Sequence, residues 1–322
     1  MSQEETVTSV GNTDLYQIRT IAEPGAADIF AKCEFRNPTG SHKDRVFHHI
    51  IAEFESAGTI WPGMTLVDCS TGNGGAALAQ AGGARGYDVV VIMPEGMTIE
   101  RKTQIETLGA RIIETPADGF LDTAEETARR FVADNPNSYY LDQSSNQLNR
   151  DAWRACGQEI VDEFKLLGRT VDLFVCSIGT GGTFSGIAEV LRESFPGIRT
   201  VAVEVDKSAP LYAKREGRQF HHEPHNLMGL GPGKIALNLR EDLVDEVTLI
   251  SGQDGWDMMK TLISREKLFV GPTAGGNLFA AQRYAREAGP DRTVVTVLFD
   301  SAWKYFSVWD GNYGQYQQSG AR

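Results

Sequence analysis

The sequence predicts an α/β protein of two lobes, each an open twisted sheet covered by helices, with a cleft between them. Three observations carry this. Short β-branched runs alternate with helical runs along most of the 322 residues, as they do where parallel strands are covered on both faces. The alternation restarts near residue 150. Several strand ends run into glycine-rich turns that open helices, which is where open α/β sheets bind ligands.

The elements follow in order. "MTLVDCS" is a strand feeding the Ala- and Gly-rich helix "TGNGGAALAQAGGARG". "YDVVVIMPE" is a strand, "IERKTQIETLG" a helix ending on a C-cap glycine, and "ARIIETP" a strand. "LDTAEETARRFVADN" is helical and "SYYLDQ" a strand. Past residue 150 come "EIVDEFKLLG", "VDLFVCSIGTGG", "TFSGIAEVLRES" and "IRTVAVEVD", then an irregular stretch from Lys207 to Asp242. An unpatterned segment of that length inside a compact protein is usually functional. "VDEVTLIS", a strand-like "LFV", two helical runs and the strand "TVVTVLFD" complete the pattern. Residues 1–45 and 150–322 are expected to form the larger lobe and 46–149 a smaller, mobile one.

Net charge is -12, which argues against non-specific nucleic-acid binding, since that needs a basic face. No stretch has membrane-spanning length, and the acidic, polar start "MSQEETVTSV" lacks the features of a signal peptide. Cys33, Cys69, Cys156 and Cys176 have neither CxxC nor zinc-ligand spacing. Buried free thiols in a reducing cytoplasm are expected.

Two loops carry the chemistry. Gly179, Thr180, Gly181, Gly182 and Thr183 join a strand to a helix; free amides and the dipole at a helix start suit a phosphate. This is neither a Walker loop nor a dinucleotide fingerprint. The stretch Ser70, Thr71, Gly72, Asn73 has the same form and suits a carboxylate or a hydroxyl-bearing ring. "NPTGSHKDR" places one lysine, Lys43, at the end of a turn-rich run. It reads either as a solvated loop charge or as a pocket lysine that forms a Schiff base.

Taken together, "NPTGSHKDR", "STGNGG", "MPEGMTIERKTQIETLGARIIETP", "GTGGTFSG" and the terminal "DS" resemble, in that order, the motifs of the fold type II pyridoxal-phosphate enzymes. These are the tryptophan synthase β-subunit-like proteins, here of the cysteine synthase and cystathionine β-synthase family. The resemblance runs from "GNTDLYQI" to "VVTVLFDSAWKYFS". It implies that pyridoxal 5'-phosphate is the cofactor and lies in the cleft, that Lys43 forms its Schiff base, and that the Gly179–Thr183 loop holds its phosphate. Asn73 would meet the ring oxygen and Ser301, rather than Asp300, the ring nitrogen. The Ser70–Asn73 loop and Gln143 would grip the substrate carboxylate. The implied reaction is β-replacement on an activated serine through an aminoacrylate; elimination by a lyase or dehydratase is the alternative, and a non-catalytic scaffold a third. The partners implied are a small amino acid, a small nucleophile and a second copy in a homodimer, with no nucleic acid or membrane.

Some residues depart from the family pattern. Gly74 stands where threonine is usual and is expected to open space beside Asn73. Lys234 follows "GLGPG" where an aromatic is typical and is expected to meet an extra anionic group on one substrate. Asp14 replaces a proline, and "DAWRACGQEI" lacks the usual His and Thr. His42 is expected to pack beneath the Lys43 turn, Cys69 to be a buried thiol, and His221, His222 and His225 to sit on a solvated loop rather than a metal. Nothing suggests a haem or a C-terminal regulatory module.

Overall fold

The computed structural model describes residues 9–309; most of the acidic N-terminal start and the last residues of the chain lie outside that range. Among the described residues ten strands form two sheets: β1 Leu15–Gln17, β2 Asp28–Lys32, β3 Thr65–Cys69, β4 Asp88–Pro94, β5 Arg111–Thr115, β6 Ser138–Tyr140, β7 Leu173–Ser177, β8 Arg199–Val205, β9 Glu246–Ile250 and β10 Thr293–Val297. The helices are α1 Lys43–Ser56, α2 Asn73–Gly83, α3 Ile99–Thr107, α4 Phe120–Asp134, α5 Leu148–Asp151, α6 Arg154–Leu166, α7 Gly182–Ser194, α8 Pro210–Arg215, α9 Gly252–Thr261 and α10 Pro272–Ala288.

One sheet runs β5-β4-β3-β6 and is wholly parallel. The other runs β1-β2-β10-β7-β8-β9 and is parallel apart from β1. Parallel strands covered on both faces read as continuous apolar runs; "LFVCS" of β7 is buried at every position. Helices α2, α3 and α4 pack on the smaller sheet, and α10 lies along β10, β7, β2 and β9 of the larger. β1 and β2 went unread because one is three residues long and the other, "DIFAK", carries too short a pattern. "LFV" is not a strand; Val270 makes only an isolated bridge to Ser301.

The topology fixes the site. The Lys43 turn follows β2, the Ser70 loop follows β3, Gln143 follows β6, the Gly179 loop follows β7 and Asp300 follows β10. Each stands beyond the carboxyl end of a parallel strand, where open α/β sheets bind ligands.

Candidate active site

The Lys43 turn is held by buried polar groups. Asp44 accepts hydrogen bonds from the Thr39 amide at 2.7 Å and from the Thr39 hydroxyl at 2.5 Å. Burial still pushes the Asp44 carboxyl up to about 6. Asn37 donates to the Glu34 carbonyl and carboxylate at 2.9 and 2.8 Å. Gly40 has φ +76°, which a left-handed turn residue supplies without steric cost. Arg45 is bidentate to Glu34 (2.8 and 2.8 Å) and to Glu159 (2.7 and 2.8 Å), and Lys32 completes the cluster at 2.7 Å from Glu159. His42 packs between the rings of Phe299 and Trp153, at centroid distances of 4.5 and 5.7 Å, and burial holds it neutral.

Lys43 emerges from this frame into a cleft of roughly 980 Å³ counting its open mouth, room for a ring-sized cofactor and an amino acid together. Its Nζ lies 3.4 Å from the Thr180 hydroxyl. Burial pushes the Lys43 ammonium down to about 8, against the pull of the Asp68 carboxylate. Burial likewise pushes Asp68 up to about 8; the Gln143 and Cys69 amides bond it at 3.1 and 2.6 Å.

Opposite Lys43, α7 opens from Gly181, which has φ +82°. A Cβ there would lie 2.6 Å from the Leu239 amide, one at Gly179 2.7 Å from the Gly229 carbonyl, and one at Gly182 2.3 Å from Asn149 Oδ1. Side chains are excluded, and no acidic residue stands in the first turn. The amides of Gly182, Thr183 and Phe184 find no partner among the described residues. That cradle of free donors fits the phosphate of pyridoxal 5'-phosphate, and the depressed Lys43 beside it fits the aldehyde.

On the smaller-sheet side, Ser70 Oγ accepts from the Gly72 and Gly75 amides at 3.0 and 2.9 Å, so this hydroxyl shapes the loop. The amides of Thr71, Asn73 and Gly74 remain without partners among the described residues. The expected space at Gly74 does not exist. A Cβ there would meet Gln143 Nε2 at 2.6 Å, so glycine admits the glutamine rather than a substrate. Gln143 spends one N–H on the Cys69 carbonyl at 2.9 Å, while its Oε1 is buried without a partner.

Two expected site residues stand elsewhere. The Ser301 hydroxyl donates to the Phe35 carbonyl at 3.1 Å and does not line the cleft; Phe299 and Asp300 do. A hydroxyl that does line the cleft is Thr273, buried at the start of α10 and donating to the Met228 carbonyl at 3.4 Å. "GPTAGG" contained it, but the loop gave no sign of which residue faced inward. Lys234 lies outside the cleft and pairs with Asp122 at 2.9 Å and Glu125 at 3.2 Å on α4. Arg101, its guanidinium 4.6 Å from the Tyr305 ring centroid, also lines the cleft and was missed.

Cys69 is a buried cleft-wall thiol, raised by burial, and all four cysteines are free and buried. His222 bonds the Ser208 hydroxyl at 2.8 Å, and His225 is half-buried rather than solvated. No described helix is long and apolar enough to cross a membrane.

A family model described as pyridoxal-phosphate dependent enzyme matches residues 7–300. The probable cysteine synthase of Bacillus subtilis (strain 168) is 35% identical over 93% of this chain and 94% of that protein. Cysteine synthase B of Campylobacter jejuni is 33% identical over 93% of this chain and 95% of its own. The crystal structure of O-ureido-L-serine synthase superposes with TM-score 0.86 at 28% identity, covering 93% of this chain and 92% of that one. That of the O-acetylserine dependent cystathionine beta-synthase from Helicobacter pylori gives 0.85 at 30%, covering 92% and 95%.

Proposed function

Because the chain belongs to the pyridoxal-phosphate-dependent enzymes, we propose that it replaces the β-substituent of an activated serine, of the O-acetylserine or O-phosphoserine type, to make cysteine or another β-substituted alanine. The observation that carries the reading is Lys43 Nζ at 3.4 Å from Thr180 on the anion cradle, with the carboxylate-binding amides in the same cleft.

Pyridoxal 5'-phosphate, when bound, supplies the electron sink that acidifies the substrate α-carbon and lets the β-substituent leave. The free amides of Gly182 and Thr183, with the Thr180 hydroxyl, hold the phosphate. Asn73 takes the ring oxygen. Thr273, in place of Ser301, is the residue we assign to the ring nitrogen. A hydroxyl there does not fix a positive charge on the ring as a carboxylate would, which favours departure at the β-carbon.

Lys43 Nζ moves the α-proton. A base works best near neutrality, and burial has brought this amine most of the way there. The amides of Thr71, Asn73 and Gly74 take the substrate carboxylate, joined by the second N–H of Gln143. Phe120, Leu121, Leu230 and Pro232 line the mouth with apolar surface. Lys234 is paired to α4 outside the cleft and does not offer its charge to a co-substrate, and a small uncharged nucleophile fits the apolar mouth. This replaces the expectation that Lys234 meets an extra anionic group.

Closure of the lobe of residues 46–149 over the amino acid is part of the proposal, because that lobe carries the carboxylate amides while the phosphate cradle stands on the larger sheet. So is a homodimer; exposed Phe269 and Phe306 offer apolar surface, and sedimentation tests it. A cytoplasmic location agrees with four unpaired cysteines, and cell fractionation tests it. For the reaction, the purified protein is given O-acetylserine or O-phosphoserine with sulfide or a neutral amine. A β-substituted alanine is the expected product. Pyruvate and ammonia alone, whatever the nucleophile, would make it a lyase instead.

A further inference from the structure

Asp300 closes the strand β10 edge of the cleft and is 1% exposed. One carboxylate oxygen, Oδ2, accepts from Asn73 Nδ2 at 2.7 Å and from the Tyr305 hydroxyl at 2.7 Å. Asn73 belongs to the smaller sheet's loop and Asp300 to the larger sheet, so this bond crosses the cleft. The backbone makes room for it: a Cβ on Gly271 would lie 2.3 Å from Asp300 Oδ1. The Gly271 amide in turn donates to the Asp300 carbonyl at 2.8 Å.

A carboxylate can only accept. An asparagine beside it must therefore turn its nitrogen inward, because a flip would set Oδ1 against a buried negative charge. Charge-assisted bonds of this kind are roughly twice as strong as neutral ones. The orientation of Asn73 is thus single-valued. What remains for a ligand is the second N–H on Nδ2 and the unpartnered Oδ1. Without Asp300, either end of the amide could face the cleft.

We infer that Asp300 is a positioning residue that fixes the Asn73 amide so that an N–H, and not the carbonyl oxygen, meets the ring oxygen of the cofactor. This rests on the proposed contact between Asn73 and that oxygen. Asp300 does its part through Asn73 rather than by touching the reacting atoms.

The test is a double-mutant cycle on the holoenzyme, using Asn73→Ala, Asp300→Ala and the pair. It is read by the position of the bound cofactor's visible absorption band and by cofactor dissociation in dialysis, neither of which requires turnover. Asn73→Ala should shift the band and weaken retention about tenfold, the scale of one hydrogen bond at a buried site. Asp300→Ala should shift the band in the same direction, and the pair should show no more than Asn73→Ala alone. Asp300→Asn keeps the volume but is neutral and can present either end of its amide, so its band should fall between those of the parent and Asp300→Ala; it also reports if the alanine variant does not fold. Additive shifts, or an unmoved band in Asp300→Ala beside a shifted one in Asn73→Ala, overturn this role and leave the proposed cofactor contact standing. An unmoved band in Asn73→Ala overturns both.

Discussion

The two ends of the cleft are built differently. At the floor, the Lys43 turn is over-determined: Asp44 closes it, Asn37 braces it, and the Arg45 network ties it to α6. At the mouth, Phe120–Glu125 of α4 faces the Gly229–Lys234 loop across exposed ion pairs, with Lys234 45% and Asp122 83% exposed. Phe120 sits there at φ +40°, ψ -128°, a conformation costing on the order of 1–3 kcal/mol for a residue with a side chain. The lesson is that a buried polar residue has one affordable set of partners, so its type reveals its role. A surface charge has many, and its type reveals little.

The largest effect should come from the floor. Lys43→Ala removes both the amine that holds the cofactor and the base, and should lower turnover by at least about 10⁴-fold, the upper range for a general base alone. Steady-state assay checks this. A loss no greater than that from mouth variants would erase the distinction between the two ends.

Next is stability. Arg45→Met leaves the fully buried Glu34 without its cation, while Glu159 keeps Lys32, and should cost about 3–5 kcal/mol in urea unfolding. Lys234→Met, at an exposed pair, should cost no more than about 1 kcal/mol. Equal costs would mean that burial does not separate the two networks.

The two hydroxyls near β10 sharpen the comparison on the ligand side. Thr273→Val should lower turnover about tenfold if its hydroxyl meets the ring. Ser301→Ala, which loses only a bond to a backbone carbonyl outside the cleft, should lower it less. The reverse order would return Ser301 to the site.

A smaller effect is linked to pH. Burial also holds Lys304 down to about 8 in the folded chain, against an ordinary value of 10.5. Between those values the unfolded chain binds the extra proton, so this residue's contribution to stability rises with pH through the window from about 8 to 10.5. The stability of the parent relative to Lys304→Met should therefore increase across that window, followed by urea midpoints. A flat or falling difference would show that Lys304 is not held neutral.

Most of the architecture was legible because parallel strands leave strong apolar runs, as in β4 and β7. β1 was not, being three residues paired only at a sheet edge. In the site, Lys43 and the Gly179 loop were legible because special backbone demands leave glycines and turns in the sequence. Ser301, Thr273 and Gly74 were not: which way a hydroxyl faces depends on how the turn after β10 and the start of α10 pack, and what fills a missing side chain's volume depends on a residue 69 positions away, Gln143. Lys234 was misplaced for the same reason, since its partners on α4 lie more than a hundred residues earlier.

The central claim is that Lys43 is the residue that takes the cofactor. Its most direct test is borohydride reduction of the purified holoprotein, digestion, and mapping of the pyridoxyl label by mass spectrometry. The label is predicted on Lys43 and should be absent from Lys43→Ala. A label on another residue, such as the buried Lys304, would contradict the account.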